Sequence, residues 1–149
     1  SAYWLLQLAK LKNENPTQIV VCVGTNNIGL GQKGVTAATG REGLQPMLNK
    51  FHEACPNAYI YFLTIPICGE ETRWGAREET KTCNELMRSF CEKKEWAEIV
   101  ETEYAFYDDE DYTKKPNPEY FTGDYLHFSP KGYEVLGGIL RGALGLENK

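Results

Sequence analysis

Strand-length apolar runs alternating with amphipathic segments predict an α/β fold, a parallel sheet with helices on both faces. Three observations carry that prediction. "QIVVCVG" at 18–24 is a continuous β-branched run without polar alternation, the pattern of a strand buried on both faces. Cys83, Leu86, Met87, Phe90 and Cys91 fall at i, i+3, i+4, i+7 and i+8, the stripe of an amphipathic helix. The segments follow one another as αβαβαβα, with no internal repeat and no linker, so residues 1–149 read as a single domain.

Each element has its own signal. "AYWLLQLAKLKN" is rich in Leu, with Lys to one side, and reads as a helix stopped at Asn15-Pro16. The 18–24 strand follows, then a Gly-rich loop. Leu44, Met47, Leu48, Phe51 and Cys55 keep helical spacing, Pro46 suits a first turn and Pro56 marks the stop. "AYIYFLTIP" at 58–66 is the second strand, and "CGEETRWGARE" a long polar loop. The helix bearing the Cys83 stripe runs over about 76–95, and "AEIVETEYA" at 97–105 is the third strand. After an irregular stretch, residues 130–145 form a last helix. Ser129 is its N-cap, Pro130 its first residue, and Tyr133, Leu136, Gly137, Leu140 and Leu144 face inward.

Composition excludes several classes of function. At 149 residues the chain is long enough for a real core, and 42% apolar with 25% charged residues is globular composition. No apolar run approaches the roughly 20 residues of a membrane span. The net charge is −5 with the basic residues scattered, which disfavours nucleic acid and anionic membrane surfaces. The five cysteines are odd in number and lack C-x-x-C spacing, so they read as buried free thiols, and a reducing, cytoplasmic setting is expected. No His, Cys and carboxylate cluster has zinc spacing, "DDEDY" lacks the pattern of a calcium loop, and "GLGQKG" lacks that of a phosphate loop. Neither a metal nor another cofactor is therefore expected. His52, on an apolar helix face, reads as structural.

Two stretches carry chemistry. In "VVCVGTNNIG" two amide side chains, Asn26 and Asn27, follow Gly24 at the end of a strand. An amide NH2 there suits a developing oxyanion, although Asn after Gly is also ordinary turn chemistry. In "GDYLHFSP" Asp124 stands three residues before His127. A carboxylate that holds one imidazole nitrogen prepares the other to act as a general base; the plainer alternative is a capping Asp beside a surface His. Ligands of parallel α/β sheets sit beyond the carboxyl ends of the strands, so these two stretches are expected to meet. The loop after the second strand places Arg73, Trp74 and Arg77 where they would rim such a site. Trp74 serves there as a stacking platform or as an anchor for the loop.

Together the two stretches resemble the SGNH hydrolases, also called the GDSL esterase/lipase family. "GTNN" resembles the family's Gly-x-Asn-Asp block, and "DYLH" its Asp-x-x-His block just before the last helix. "PNPEYFTGDYLHFSPKGYEVLGGIL" is similar to the family's C-terminal stretch as a whole. The resemblance implies a flavodoxin-like three-layer αβα sandwich. It implies that Asn26 donates to an oxyanion, that Gly24 allows a tight turn beneath the site, that His127 is the general base and that Asp124 orients it. Asn27 departs from the family's Asp, with a modest effect expected.

The family's nucleophile block is not found. The chain's serines are Ser1, Ser89 and Ser129, none of them in a Gly-Asp-Ser motif. The domain is therefore expected to lack its first strand and to be truncated at its N-terminus. A fragment, a second chain or swapped protomer that supplies the strand, and a loss of the chemistry are the three explanations, in that order. The expected function is hydrolysis of a small ester, such as an acetylated carbohydrate, through a Ser-His-Asp triad whose serine lies outside the chain. A non-catalytic binding or scaffold module with the same fold is the alternative, and a lysophospholipase-like activity a third option.

Overall fold

The computed structural model describes the backbone of residues 2–146 and the side chains of residues 8–146. Ser1 lies outside the described residues. Helix α1 (Ala2–Glu14) ends where Asn15 takes a left-handed conformation (φ 48°) and donates its N–H to Leu11 O. Asn tolerates that region, and Pro16 next to it cannot continue a helix.

Strands β1 (Gln18–Val21), β2 (Tyr59–Leu63) and β3 (Ala97–Val100) form one parallel sheet in the order β1-β2-β3. The register pairs Val20 with Tyr61 and Phe62 with Ile99. One face carries Ile19, Val21, Ile60 and Phe62. It packs on α4 (Leu44–Ala54) and α6 (Arg77–Glu92) through Leu48, Phe51, Cys83 and Met87. The other face carries Tyr61, Leu63 and Val100 under α7 (Pro130–Ala143), through Leu136, Ile139 and Leu140. The result is the three-layer αβα arrangement expected from the sequence. Burial of these faces, at about 25 cal/mol per Å² of apolar surface, is the main force that holds the layers together.

Several details depart from the sequence reading. All three strands stop short of 24, 66 and 105. Beyond Leu63 and Val100 the backbone bonds Thr64 N to Val100 O (3.0 Å) and Ile67 N to Glu103 O (2.9 Å) are joined by side-chain bonds. Thr64 Oγ1 accepts from Thr102 N (2.8 Å) and Glu103 N (3.0 Å), and the Thr102 hydroxyl donates to Thr64 O. The backbone donors are thus satisfied across the interruption at Pro66, which has no N–H to give. β1 is not buried on both faces: it is the sheet edge, α7 lies over β2 and β3, and Val20 is 41% exposed. Cys22 is likewise exposed, while the other four thiols are buried and free as expected. Tyr133 does not face inward but is 59% exposed, with its ring edge-on to Phe128 beside the strand ends.

Three short helices stand where the sequence predicts loops: α2 (Thr25–Gly29), α3 (Gly34–Thr39) and α5 (Glu71–Gly75). His52 stacks on Trp96 with the ring planes 2° apart, consistent with a packing role. Among the described residues no helix is long and apolar enough to cross a membrane.

Candidate active site

The loop leaving β1 turns at Gly24, whose φ is +118°. A Cβ there would stand 2.6 Å from Ile65 Cδ1, so both conformation and space require glycine. Helix α2 starts at once and sets Asn26 on its first turn. Asn26 Oδ1 accepts a hydrogen bond from Arg73 Nη2 (3.2 Å). Asn27 points elsewhere and donates through Nδ2 to Gln32 Oε1 (3.4 Å), which closes the loop behind it.

The second half of the site is a single tight turn. Phe121 and Phe128 form an isolated antiparallel bridge, and Thr122 N donates to His127 O (2.8 Å) across it. Within the turn Asp124 Oδ1 accepts from Thr122 Oγ1 (2.7 Å), Leu126 N (2.9 Å) and His127 N (3.0 Å). Its other oxygen, Oδ2, holds His127 Nδ1 in a short hydrogen bond. The Thr122 hydroxyl, then the His127 ring, then the two amides hold the Asp124 carboxyl well below the usual carboxylate range. A proton on Nδ1 in that bond leaves Nε2 as the nitrogen without one. Tyr125, at the tip, adopts a left-handed conformation (φ 58°). Its carbonyl accepts from Gly69 N (3.2 Å) and Glu70 N (3.1 Å), which ties the turn to the loop after β2. Ser129 is the N-cap of α7: its hydroxyl accepts from Gly132 N and donates to Glu119 O.

A cleft of about 220 Å³ opens at the carboxyl ends of the strands. Asn26 and His127 both line it, together with Cys22, Thr64, Phe128 and Tyr133. Two stretches about 100 residues apart in sequence therefore share one wall. Gly24 lies beneath this surface rather than on it, and Asp124 stands behind His127. Asn27 and Trp74 are not among the lining residues; the face of Trp74 is covered by the Arg77 guanidinium, 4.2 Å from the ring centroid. Neither Ser89 nor Ser129 lines the cleft. Among the described residues no three His, Cys, Asp or Glu side chains are grouped to hold a metal.

Thr122 and the bond between Arg73 and Asn26 are not foreseen from sequence, although Arg73 itself is expected at the rim. The Thr122 hydroxyl donates to Asp124 Oδ1, and a hydroxyl two residues before an Asp in a turn was the available signal. The bond of Arg73 to Asn26 had no local signal, because the two are 47 residues apart.

Comparison with known proteins bears on the family and the fold. The chain is similar to platelet-activating factor acetylhydrolase IB subunit alpha1 of Homo sapiens, with 29% identity over 130 residues, 87% of this chain and 52% of that protein. It spans about half the length of the curated relatives it matches. Its fold is similar to that of a GDSL-like lipase from Bacteroides thetaiotaomicron (TM-score 0.65, 19% identity, 95% of this chain and 68% of that one). It is also similar to a family 3 carbohydrate esterase of Clostridium thermocellum (TM-score 0.64, 16% identity, 93% and 61%). The model of the GDSL-like Lipase/Acylhydrolase family matches residues 1–135. A match over that much of the chain, on a fold those structures share, shows that the chain belongs to the GDSL-like Lipase/Acylhydrolase family.

Proposed function

We propose that this chain carries the general base and an oxyanion donor of a serine ester hydrolase, with the serine contributed from outside residues 1–149. The observation that carries the reading is the shared cleft: the Asp124–His127 pair and the Asn26 amide line or back one wall. His127 Nε2 takes the proton of the serine hydroxyl as its oxygen attacks the ester carbonyl. The carbonyl oxygen becomes an oxyanion and accepts a hydrogen bond from Asn26 Nδ2. The tetrahedral intermediate collapses, the C–O bond to the alcohol breaks, and the imidazolium returns its proton to the leaving oxygen. Water then repeats the sequence on the acyl-enzyme and releases the acid. Asp124 keeps the imidazole in the required tautomer and stabilises its cationic form throughout.

The cleft is small, which favours short acyl groups such as acetyl. The similar proteins, an acetylhydrolase and a carbohydrate esterase, support an acetyl ester, and an acetylated carbohydrate is the proposed substrate. The serine arrives on the rest of the polypeptide or on a second chain. The open β1 edge, with Val20 exposed, is a surface on which a further strand would pair.

Fluorophosphonate labelling of the whole gene product, read by intact mass and peptide mapping, tests this. A single adduct on a serine outside residues 1–149, lost in His127→Ala, is expected. Asn26→Ala should cost about 10²–10³ in rate. A folded protein that takes no adduct would overturn the esterase reading and leave a binding module.

A further inference from the structure

We propose that Arg73 is a positioning residue: it turns the Asn26 side chain so that the NH2, not the carbonyl oxygen, is presented to the cleft. The inference rests on the esterase reading above and adds a residue to it. An asparagine side chain is nearly symmetric in shape. On an exposed first turn it samples two orientations related by a flip. Only one of them helps: the flipped amide sets an oxygen against the developing oxyanion and repels it. Something must choose between the two.

A guanidinium can choose, because it has five N–H donors and no acceptor. Arg73 Nη2 donates to Asn26 Oδ1 (3.2 Å), so the oxygen is the atom drawn towards Arg73, and Nδ2 is turned away from it. The same guanidinium donates through Nε to Thr25 O (3.2 Å), the carbonyl just before Asn26. Through Nη1 it pairs with Glu70 Oε2 (2.9 Å). Glu70 is fixed in turn, because its carboxylate accepts from Thr72 N (3.2 Å) and Arg73 N (3.0 Å) at the start of α5. The Arg73 side chain is only 17% exposed, so this is a seated cation rather than a surface one.

The seat is shaped for it. Gly29, three residues after Asn26 and on the same side of α2, lies against the guanidinium, and a Cβ on Gly29 would stand 2.6 Å from Arg73 Cζ. A side chain at that position would push the guanidinium off the Asn26 oxygen. The segment that carries Glu70 and Arg73 also reaches the other half of the site, since Gly69 N and Glu70 N donate to Tyr125 O between Asp124 and His127. Residues 69–73 thus hold both the oxyanion donor and the turn that bears the base.

The test uses the whole gene product and two readouts. The first is a double-mutant cycle with p-nitrophenyl acetate. Arg73→Ala alone should lower kcat about 10- to 100-fold with KM little changed, below the ceiling set by loss of the amide itself. In an Asn26→Ala background it should cost less than about 2-fold, and guanidinium ion added to Arg73→Ala should restore part of the lost rate. Equal losses in both backgrounds would overturn the proposal. The second readout does not need turnover: ¹⁵N relaxation of the Asn26 side-chain amide. It should report one ordered NH2 in the wild type and a mobile one in Arg73→Ala. Gly29→Ala, which keeps the arginine but displaces it, should behave the same way. An Asn26 amide equally ordered in all three proteins would refute the positioning role. If the wild type hydrolyses no ester, the esterase reading falls and the amide measurement alone decides the role of Arg73.

Discussion

Asp124→Asn separates the two jobs of one carboxylate. The oxygen that accepts from Thr122, Leu126 and His127 N is Oδ1, and an asparagine carbonyl can accept all three bonds. The turn should survive. The atom that changes is Oδ2, which receives His127 Nδ1 and becomes an NH2. Two donors then face each other. The imidazole can relieve this only by moving its proton to Nε2, and Nε2 is the nitrogen required to accept the serine proton. The base is therefore lost through its tautomer, with the loop intact. For a triad of this logic the loss in kcat is about 10⁴-fold, against little change in KM. Steady-state hydrolysis of a short-chain p-nitrophenyl ester by the whole protein measures it, with circular dichroism and thermal melting as the control for folding. A variant that melts like the wild type and keeps more than about a tenth of its kcat would refute the tautomer argument, because the wrong tautomer leaves no base.

Other expectations concern the frame around the site. Gly24→Ala places a Cβ against Ile65 in a conformation that L-residues avoid, so a loss of about 2–4 kcal/mol in urea unfolding of the whole protein is expected. Asn84 is fully buried and bonds Ile65 N (2.8 Å), Ile65 O (2.9 Å) and Glu103 Oε1 (2.8 Å). Asn84→Ala orphans both backbone groups and should cost about 2–5 kcal/mol in the same assay. The thiols of Cys83 and Cys91 are buried and pushed up to about 11, whereas Cys22 is exposed on the cleft. Iodoacetamide on the native protein should therefore modify Cys22 alone, slowly at neutral pH and faster as the pH rises, because desolvation raises that thiol too. Peptide mapping reads the site. The depressed Asp124 pKa sets the acid limit: the carboxylate's contribution to the turn is complete above the ordinary value of about 3.9 and is lost only as pH falls through its lower folded value. An NMR titration of the Asp124 carboxyl carbon should show no protonation midpoint at or above about 3.9.

The parts of this molecule that could be read from sequence are those encoded locally. The long helices announced themselves through stripes such as Cys83 to Cys91, and the strands through unbroken apolar runs. The Asp124–His127 pair was legible for the same reason: three residues separate the partners, and the turn that joins them is made of its own side chains. Helices of five or six residues gave no signal. They are too short for a period to show, and α3 buries Ala37 and Ala38, small residues that mark no stripe. The exposure of Val20 and Cys22 could not be foreseen either, since a β-branched run states that a residue prefers a sheet, not which neighbours the sheet provides. The Arg73 bond to Asn26 belongs to the same class. It exists only once the loops after β1 and β2 have been brought together.

Thr64 fastens the chain that leaves β2 to the one that leaves β3. Its hydroxyl receives two amides from the chain that leaves β3, at the level where the cleft begins, and Thr64 itself lines that cleft. Two parallel strands that separate normally strand their next donors in apolar surroundings, and the simplest remedy is to stay zipped. Here Pro66 has no N–H to continue the ladder, and one oxygen satisfies both donors before Ile67 N meets Glu103 O. The opening of the cleft is thus bordered by an interruption that a hydroxyl fills. Valine fills nearly the same volume as threonine and would pass any test of packing, yet it would leave the Thr102 and Glu103 amides facing carbon. A site that tolerates serine and rejects valine at position 64 would show that the opening depends on that oxygen and not on the shape around it.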